Sequence, residues 1–123
     1  MTRIYCGVIV WASIPDGHGN AKIRPCVVID FDSDDVLNPQ ILVVPITKSS
    51  DQPCPHYHIQ VHYFHDKDPT TGLYYPCWAK CNWPRWINET QVRDRCGDIP
   101  DDLFSLIADA FDRINNDEFD DWQ

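Results

Sequence analysis

Short runs of apolar residues, separated by turn-forming residues, recur along most of this chain. They cover residues 5–14, 24–30, 40–46, 56–63 and 73–80 and are rich in Val, Ile and aromatic residues. Residues of these types favour strands. Gly, Pro, Asn and Asp cluster between several of the runs, as at Pro15–Asn20 and Asp68–Gly72, and predict turns. We therefore predict a strand for each run.

The run at 56–63 alternates strictly between two kinds of side chain. Successive residues of a strand point to opposite faces, so each kind occupies one face. One face carries His56, His58, Gln60 and His62, and the other carries Tyr57, Ile59, Val61 and Tyr63. The pattern predicts a strand with one polar and one apolar face.

The period changes near the end of the chain, where apolar residues recur at helical spacing. The stripe consists of Leu103, Phe104, Leu106, Ile107, Ala110, Phe111 and Ile114. Pro100-Asp101-Asp102 precedes it, and acids in a first helical turn suit the positive end of the helix dipole. Strands followed by one amphipathic helix predict a compact antiparallel β-barrel capped by that helix. We expect one domain over residues 1–116 and a flexible acidic tail over 117–123.

The net charge of −9 argues against a general nucleic-acid binder, because phosphate contacts need positive charge. Its distribution alters that conclusion. From Asp98 onward there are nine acidic residues and one basic residue, whereas residues 1–97 hold ten acids and nine bases. The body of the chain is therefore close to neutral. No run has the length of a transmembrane helix, and the first residues lack signal-peptide character, so we expect a cytoplasmic protein without membrane contact.

Six cysteines in a chain of 123 residues without an export signal favour reduced, structural thiols over a disulfide scaffold. His58-x-x-x-His62 and Cys77-x-x-x-Cys81 each have a spacing found in zinc sites. The histidines also fit the polar face of a strand. We therefore expect no metal.

Two polar residues stand at the ends of apolar runs. Arg24 opens the run at 24–30, and Thr47 directly follows the run at 40–46. Strands would hold both groups rigidly at one rim of a sheet, and a planar guanidinium can grip a phosphodiester with two parallel hydrogen bonds. A surface arginine beside a turn proline and a strand-ending threonine remain the alternative.

Four motifs, taken in order, carry a resemblance to a known family. They are Gly17-His18, Arg24-Pro25, Pro45-Ile46-Thr47 and Lys80-Cys81-Asn82-Trp83-Pro84-Arg85, and the amphipathic helix follows them. From Gly7 to about Ile114 the chain resembles the PemK/Kid/MazF family, the toxin component of bacterial toxin–antitoxin pairs. It is most similar to the PemK/Kid branch, with its Gly-His loop, Arg-Pro strand start, Pro-Val-Thr-Ser strand end and Arg-Cys-Asp-Gln-Pro-Arg segment.

The resemblance implies an SH3-like barrel, a two-fold homodimer and cleavage of single-stranded RNA, such as mRNA, without a metal or other cofactor. The ribose 2′-hydroxyl attacks the adjacent phosphate in that chemistry. Arg24 would bind phosphate and stabilise developing charge, Thr47 would donate to phosphate or orient the 2′-hydroxyl, and His18 would help to bind the RNA. Lys22, Lys48, Asn82 and Arg85 would contact RNA. A cognate antitoxin would cover the RNA groove.

Three positions depart from the branch pattern. Lys80 stands where the branch has an arginine proposed as general acid, Asn82 replaces an aspartate proposed as general base, and Lys48 replaces a serine. An amide cannot accept the proton. His18 is the candidate to replace the missing base, because the unperturbed pKa of histidine is roughly 6.5.

Two other functions remain open at this point. A barrel that binds RNA or a protein partner without cleaving it is consistent with Asn82. A relative of the gyrase-poisoning toxins would share the barrel, but those toxins lack the Arg-Pro and Pro-x-Thr motifs found here. Trp78, Trp83 and Trp86 lie near Lys80 and Arg85, and they are candidates either for stacking RNA bases or for core and dimer packing.

Overall fold

The structure is a computed structural model that describes residues 3–15, 19–32, 39–48, 54 and 56–116. Within these residues the chain forms seven β-strands, a 3-10 turn and one α-helix. In chain order they are β1 (Val8–Pro15), β2 (Ala21–Asp32), β3 (Gln40–Thr47), β4 (His58–Val61), β5 (Cys77–Lys80), β6 (Arg85–Asn88), the 3-10 turn (Glu89–Gln91), β7 (Val92–Asp98) and α1 (Asp101–Asn115). The predicted mainly β fold with a terminal helix is confirmed.

One antiparallel sheet contains all seven strands. Six of them follow one another in the order β4-β5-β3-β2-β1-β7, and β6 lies off this path and pairs with β3. Strand β3 has two different neighbours on the side away from β2. Residues 40–43 pair with β6, and Ile46 and Thr47 pair with β5. The long strand β3 therefore connects the two parts of the sheet.

Strand alternation divides the buried side chains into two cores. The helix-side core includes Val27 and Val44 from the sheet, which pack with Leu103 and Ile107 of α1. The second core lies on the other face of the sheet and contains the residues Val8, Val10, Ala12, Ile14, Cys26, Val28, Ile41, Val43 and Ile87. Each fully buried aliphatic side chain contributes roughly 1.5–3 kcal/mol relative to exposure. These two cores account for the stability of the sheet and for the docking of α1.

Helix α1 begins where the sequence predicted, after Pro100 as N-cap. Leu103, Ile107 and Ala110 of the predicted stripe are buried, whereas Leu106 is 53% exposed. The stripe is therefore narrower than its sequence pattern suggested. In the part of the chain that the structure describes, no helix has the length and apolar character needed to cross a membrane.

The sheet is not closed into a barrel by strand pairing, because the outer strands β4 and β7 do not pair within the described residues. A loop covers β7 instead. The backbone N–H of Asp98 donates to Thr70 O at 2.8 Å, and Cys96 Sγ donates to Thr71 O at 3.3 Å. The backbones approach so closely that a Cβ on Gly72 would lie 2.1 Å from Cys96 O. An irregular loop therefore occupies the position that a closing strand would need.

Several strand boundaries differ from the sequence prediction. The run at 56–63 forms a strand only over His58–Val61, and His58 on its predicted polar face is buried. The run at 73–80 becomes a strand only from Cys77. Strands β6 and β7 were not predicted. Strand β6 has only four residues, and charged residues interrupt the alternation of β7.

Candidate functional site

The register of β2 and β3 explains why Arg24 and Thr47 meet. Cys26 pairs with Pro45, and each strand continues two residues further toward the same edge. Continuing the register in this way sets Arg24 opposite Thr47. Both residues then lie on the face of the sheet that carries the second core, since alternate residues share a face. The predicted rim of two polar groups is present.

A cleft of about 330 Å³ opens at this edge. Its described lining consists of Trp11, Lys22, Ile23, Arg24, Pro25, Ile46, Thr47, Lys48 and Tyr75. Lys22 and Lys48 are exposed and Thr47 is buried. No carboxylate is among these described lining residues, so the three cations give the cleft a positive potential, which suits an anion.

Arg24 is half-buried, and its Nε lies out of contact with solvent. Among the described residues this Nε has no hydrogen-bond partner. A buried donor without a partner is energetically unfavourable, and burial of a charged donor costs more. The Arg24 guanidinium is therefore a group that gains from an oxygen-rich ligand in the cleft.

The indole of Trp83 lies beside this guanidinium and beside a second one. Arg24 Cζ is 5.6 Å from the centroid of the Trp83 ring, and Arg85 Cζ is 4.6 Å from it. Trp83 is half-buried and packs against the second core. Burial lowers the pKa of Arg85. Trp83 thus connects Arg85 to the Arg24 cleft.

Tyr75 forms part of the cleft wall, and the sequence prediction missed it. Lys48 Nζ lies 4.6 Å from the centroid of the Tyr75 ring, a cation–π contact. Burial is the main cause that raises the pKa of the Tyr75 hydroxyl, so this group remains protonated near neutral pH. The pattern at 73–80 predicts only a strand. The aromatic pair Tyr74-Tyr75 before Pro76 is the sequence feature that could have indicated an aromatic wall of the cleft.

Three other site residues predicted from the sequence, Lys80, Asn82 and Arg85, lie outside the described lining of the cleft. Lys80 ends β5, and Thr47 pairs with Trp78, so Lys80 lies two residues further along on the same face. Asn82 is exposed in the turn that follows, where Trp83 N donates to Lys80 O at 3.0 Å. His18 lies outside the described residues.

The cysteines and histidines considered for zinc do not form a recognisable metal centre. In the described ranges, no group of three or more His, Cys, Asp or Glu residues is arranged to hold a metal ion. His58 is buried whereas His62 is exposed. Burial raises the pKa of Cys77 and of Cys81 to about 12, so both thiols are protonated near neutral pH.

Several solved structures have a similar fold. The Mycobacterium tuberculosis toxin MazF-mt6 has a TM-score of 0.66 at 17% identity, covering 89% of this chain and 96% of that chain. An endoribonuclease in complex with its cognate antitoxin, from a mycobacterial species, has a TM-score of 0.65 at 11% identity, covering 92% and 96%. MazE–MazF from Deinococcus radiodurans has a TM-score of 0.62 at 13% identity, covering 90% and 94%.

At these identities the likeness concerns the fold. No curated protein sequence matches the chain. The sequence model of the family of PemK-like, MazF-like toxins of type II toxin–antitoxin systems matches residues 5–114. These residues contain both cores and the whole described lining of the cleft. The chain therefore belongs to the PemK-like, MazF-like family of type II toxins.

Proposed function

We propose that this protein is an endoribonuclease that cleaves single-stranded RNA without a metal ion. The observation that carries the proposal is the cleft in which Arg24 and Thr47 lie with Lys22 and Lys48. Family membership supports it, and so does the fold shared with a mycobacterial endoribonuclease. A guanidinium, a hydroxyl and two ammonium groups around one cleft suit a phosphodiester.

The proposed reaction is an internal transesterification. The 2′-oxygen forms a bond to phosphorus, the bond from phosphorus to the 5′-oxygen breaks, and a cyclic phosphate and a 5′-hydroxyl result. A base takes the proton of the 2′-hydroxyl and an acid gives a proton to the leaving oxygen. Arg24 stabilises the charge on the phosphorane and Thr47 orients the phosphate or the 2′-hydroxyl. We assign His18 as the base and Lys80 as the acid.

The residues around these groups would bind the rest of the RNA. Lys22 and Lys48 are exposed at the cleft and would contact neighbouring phosphates. Asn82 and Arg85 would contact the strand beyond the cleft. Because the proposed substrate is single-stranded RNA such as mRNA, we propose that the protein acts in the cytoplasm.

We also propose two protein partners. The first is a second copy of the chain, in a two-fold homodimer. The second is a cognate antitoxin that covers the cleft, as expected for a family of toxin–antitoxin systems. One of the similar structures is an endoribonuclease in complex with its cognate antitoxin, and another is MazE–MazF.

The test is incubation of the purified protein with a long single-stranded RNA in the presence of a chelator. We expect discrete fragments whose new 5′ ends carry a hydroxyl. An identically purified Arg24→Ala variant controls for contaminating nucleases. Absence of new ends, or fragments that appear equally with the variant, would contradict the proposal.

A second candidate function is RNA binding without cleavage. Among its described lining residues the cleft has neither a carboxylate nor an imidazole, and Asn82 cannot serve as a base. This candidate predicts RNA binding by a parent protein that does not cleave. It also predicts that Asn82→Asp introduces cleavage.

A further inference from the structure

The Trp83 ring contacts the guanidinium groups of Arg24 and Arg85. No carboxylate is in ion-pair contact with the Arg24 guanidinium among the described residues, and its Nε has no hydrogen-bond partner there. The guanidinium lies over the face of the Trp83 ring, with Arg24 Cζ 5.6 Å from the ring centroid. The indole is itself anchored, because it packs against the second core.

An aromatic ring orients an arginine differently from a carboxylate. A carboxylate occupies the N–H groups at the edge of the guanidinium plane, which are the groups needed for a bidentate phosphate contact. A ring attracts the cation through its quadrupole and uses none of those N–H groups as hydrogen-bond donors. A tryptophan partner can therefore hold Arg24 in place and leave its donors available to the substrate.

We propose that Trp83 is a positioning residue that holds the Arg24 guanidinium in the cleft. The inference rests on the proposed function for its effect on RNA, but the geometry that it asserts can be tested without RNA. Arg85 contacts the same ring at 4.6 Å, and its Nη1 donates to Pro84 O at 3.1 Å. Arg85 therefore supports the indole from the first position of β6.

The first test measures the Arg24 Nε–H signal by two-dimensional NMR of the protein without RNA. Burial of this group should slow its exchange enough for detection, and loss of the signal in Arg24→Ala assigns it. In the parent the Trp83 ring should shift the signal. We expect Trp83→Leu to move it toward the position of exposed arginines and Trp83→Phe to keep part of the shift. An Nε–H signal that Trp83→Leu leaves in place overturns the proposal.

The second test measures the rate of RNA cleavage in the same variants. We expect Trp83→Leu to lower the rate between about 2-fold and 30-fold, the range of a cation–π contact, and Trp83→Phe to restore most of it. Tyr63→Leu is the control, because Tyr63 is an aromatic residue that is 42% exposed and is not among the described lining residues of the cleft. It should leave the rate unchanged.

A double-mutant cycle separates positioning from packing. If Trp83 acts through Arg24, Trp83→Leu should change the rate by less than about 2-fold once Arg24 is alanine, because contacting residues are coupled. Full additivity overturns the proposal. Should Trp83→Leu fail to fold, Trp83→Met takes its place in both tests, because methionine fills irregular core space without a ring. A parent that cleaves no RNA refutes the proposed function, and the NMR result then decides the geometry alone.

Discussion

Replacement of Arg24 by alanine is the most direct test of the cleft. The substitution removes a guanidinium whose Nε has no hydrogen-bond partner among the described residues. The pairing of position 24 with Ala12 in β1 is a strand pairing and does not need the side chain. The cation–π contact with Trp83 is lost, at a cost of about 1 kcal/mol. We therefore expect the free energy of unfolding to fall by no more than about 2 kcal/mol.

The expected effect on catalysis is larger. Loss of one preorganised donor to developing negative charge costs on the order of a hundredfold in rate, about 2.7 kcal/mol. Arg24→Lys provides the control, because it keeps the charge but loses the planar fork. We expect the cleavage rates to fall in the order parent, Arg24→Lys, Arg24→Ala.

Cleavage is measured with a long RNA in chelator, by the initial rate at which 5′-hydroxyl ends appear. Urea denaturation of each variant, followed by tryptophan fluorescence, gives the free energy of unfolding. An alanine variant that is folded and cleaves as fast as the parent would refute the catalytic role of Arg24. Activity lost in proportion to unfolded protein would show a structural role instead.

Three further predictions concern assembly, pH and the glycine loop. The protein should be a homodimer, since Phe31, with 42% of its surface exposed, and other aromatic side chains leave apolar surface to bury; a monomer mass by light scattering at micromolar concentration would contradict this. Cleavage should rise through roughly pH 6 to 7 as the His18 imidazole loses its proton and becomes a competent base. Asn82→Asp should raise the cleavage rate and weaken its dependence on pH. A cleavage rate that is insensitive to pH and to His18→Ala would exclude a proton-transfer role for His18. Gly72→Ala should lower the free energy of unfolding by more than about 2 kcal/mol, because its Cβ would lie 2.1 Å from Cys96 O. Gly19→Ala is the matched control in the same urea denaturation, because Gly19 has a similar positive φ but no described neighbouring atom within 4 Å of its Cβ. Equal losses for the two would show that backbone strain, and not the close approach, decides the effect.

The elements with a strong local pattern were predictable from the sequence. The apolar runs that became β1, β2 and β3 and the stripe that became α1 report on burial within a few neighbouring residues. Arg24 and Thr47 were identifiable for the same reason, since each marks the end of an apolar run. Strand β6 escaped prediction because it has only four residues, and β7 because charged residues such as Arg93 and Asp94 interrupt its alternation.

The composition of the cleft depended on long-range pairing. The register of β2 against β3 brings Arg24 to Thr47, and the turn after β5 carries Trp83 back onto Arg24. Tyr75 reaches the same cleft from a segment without regular structure. Local periodicity records which side of an element is buried, but it carries no information on which distant element covers that side. The sequence alone therefore determined β1, β2, β3, the helix and the two polar strand ends, whereas only the tertiary structure decided which aromatic rings and cations surround Arg24.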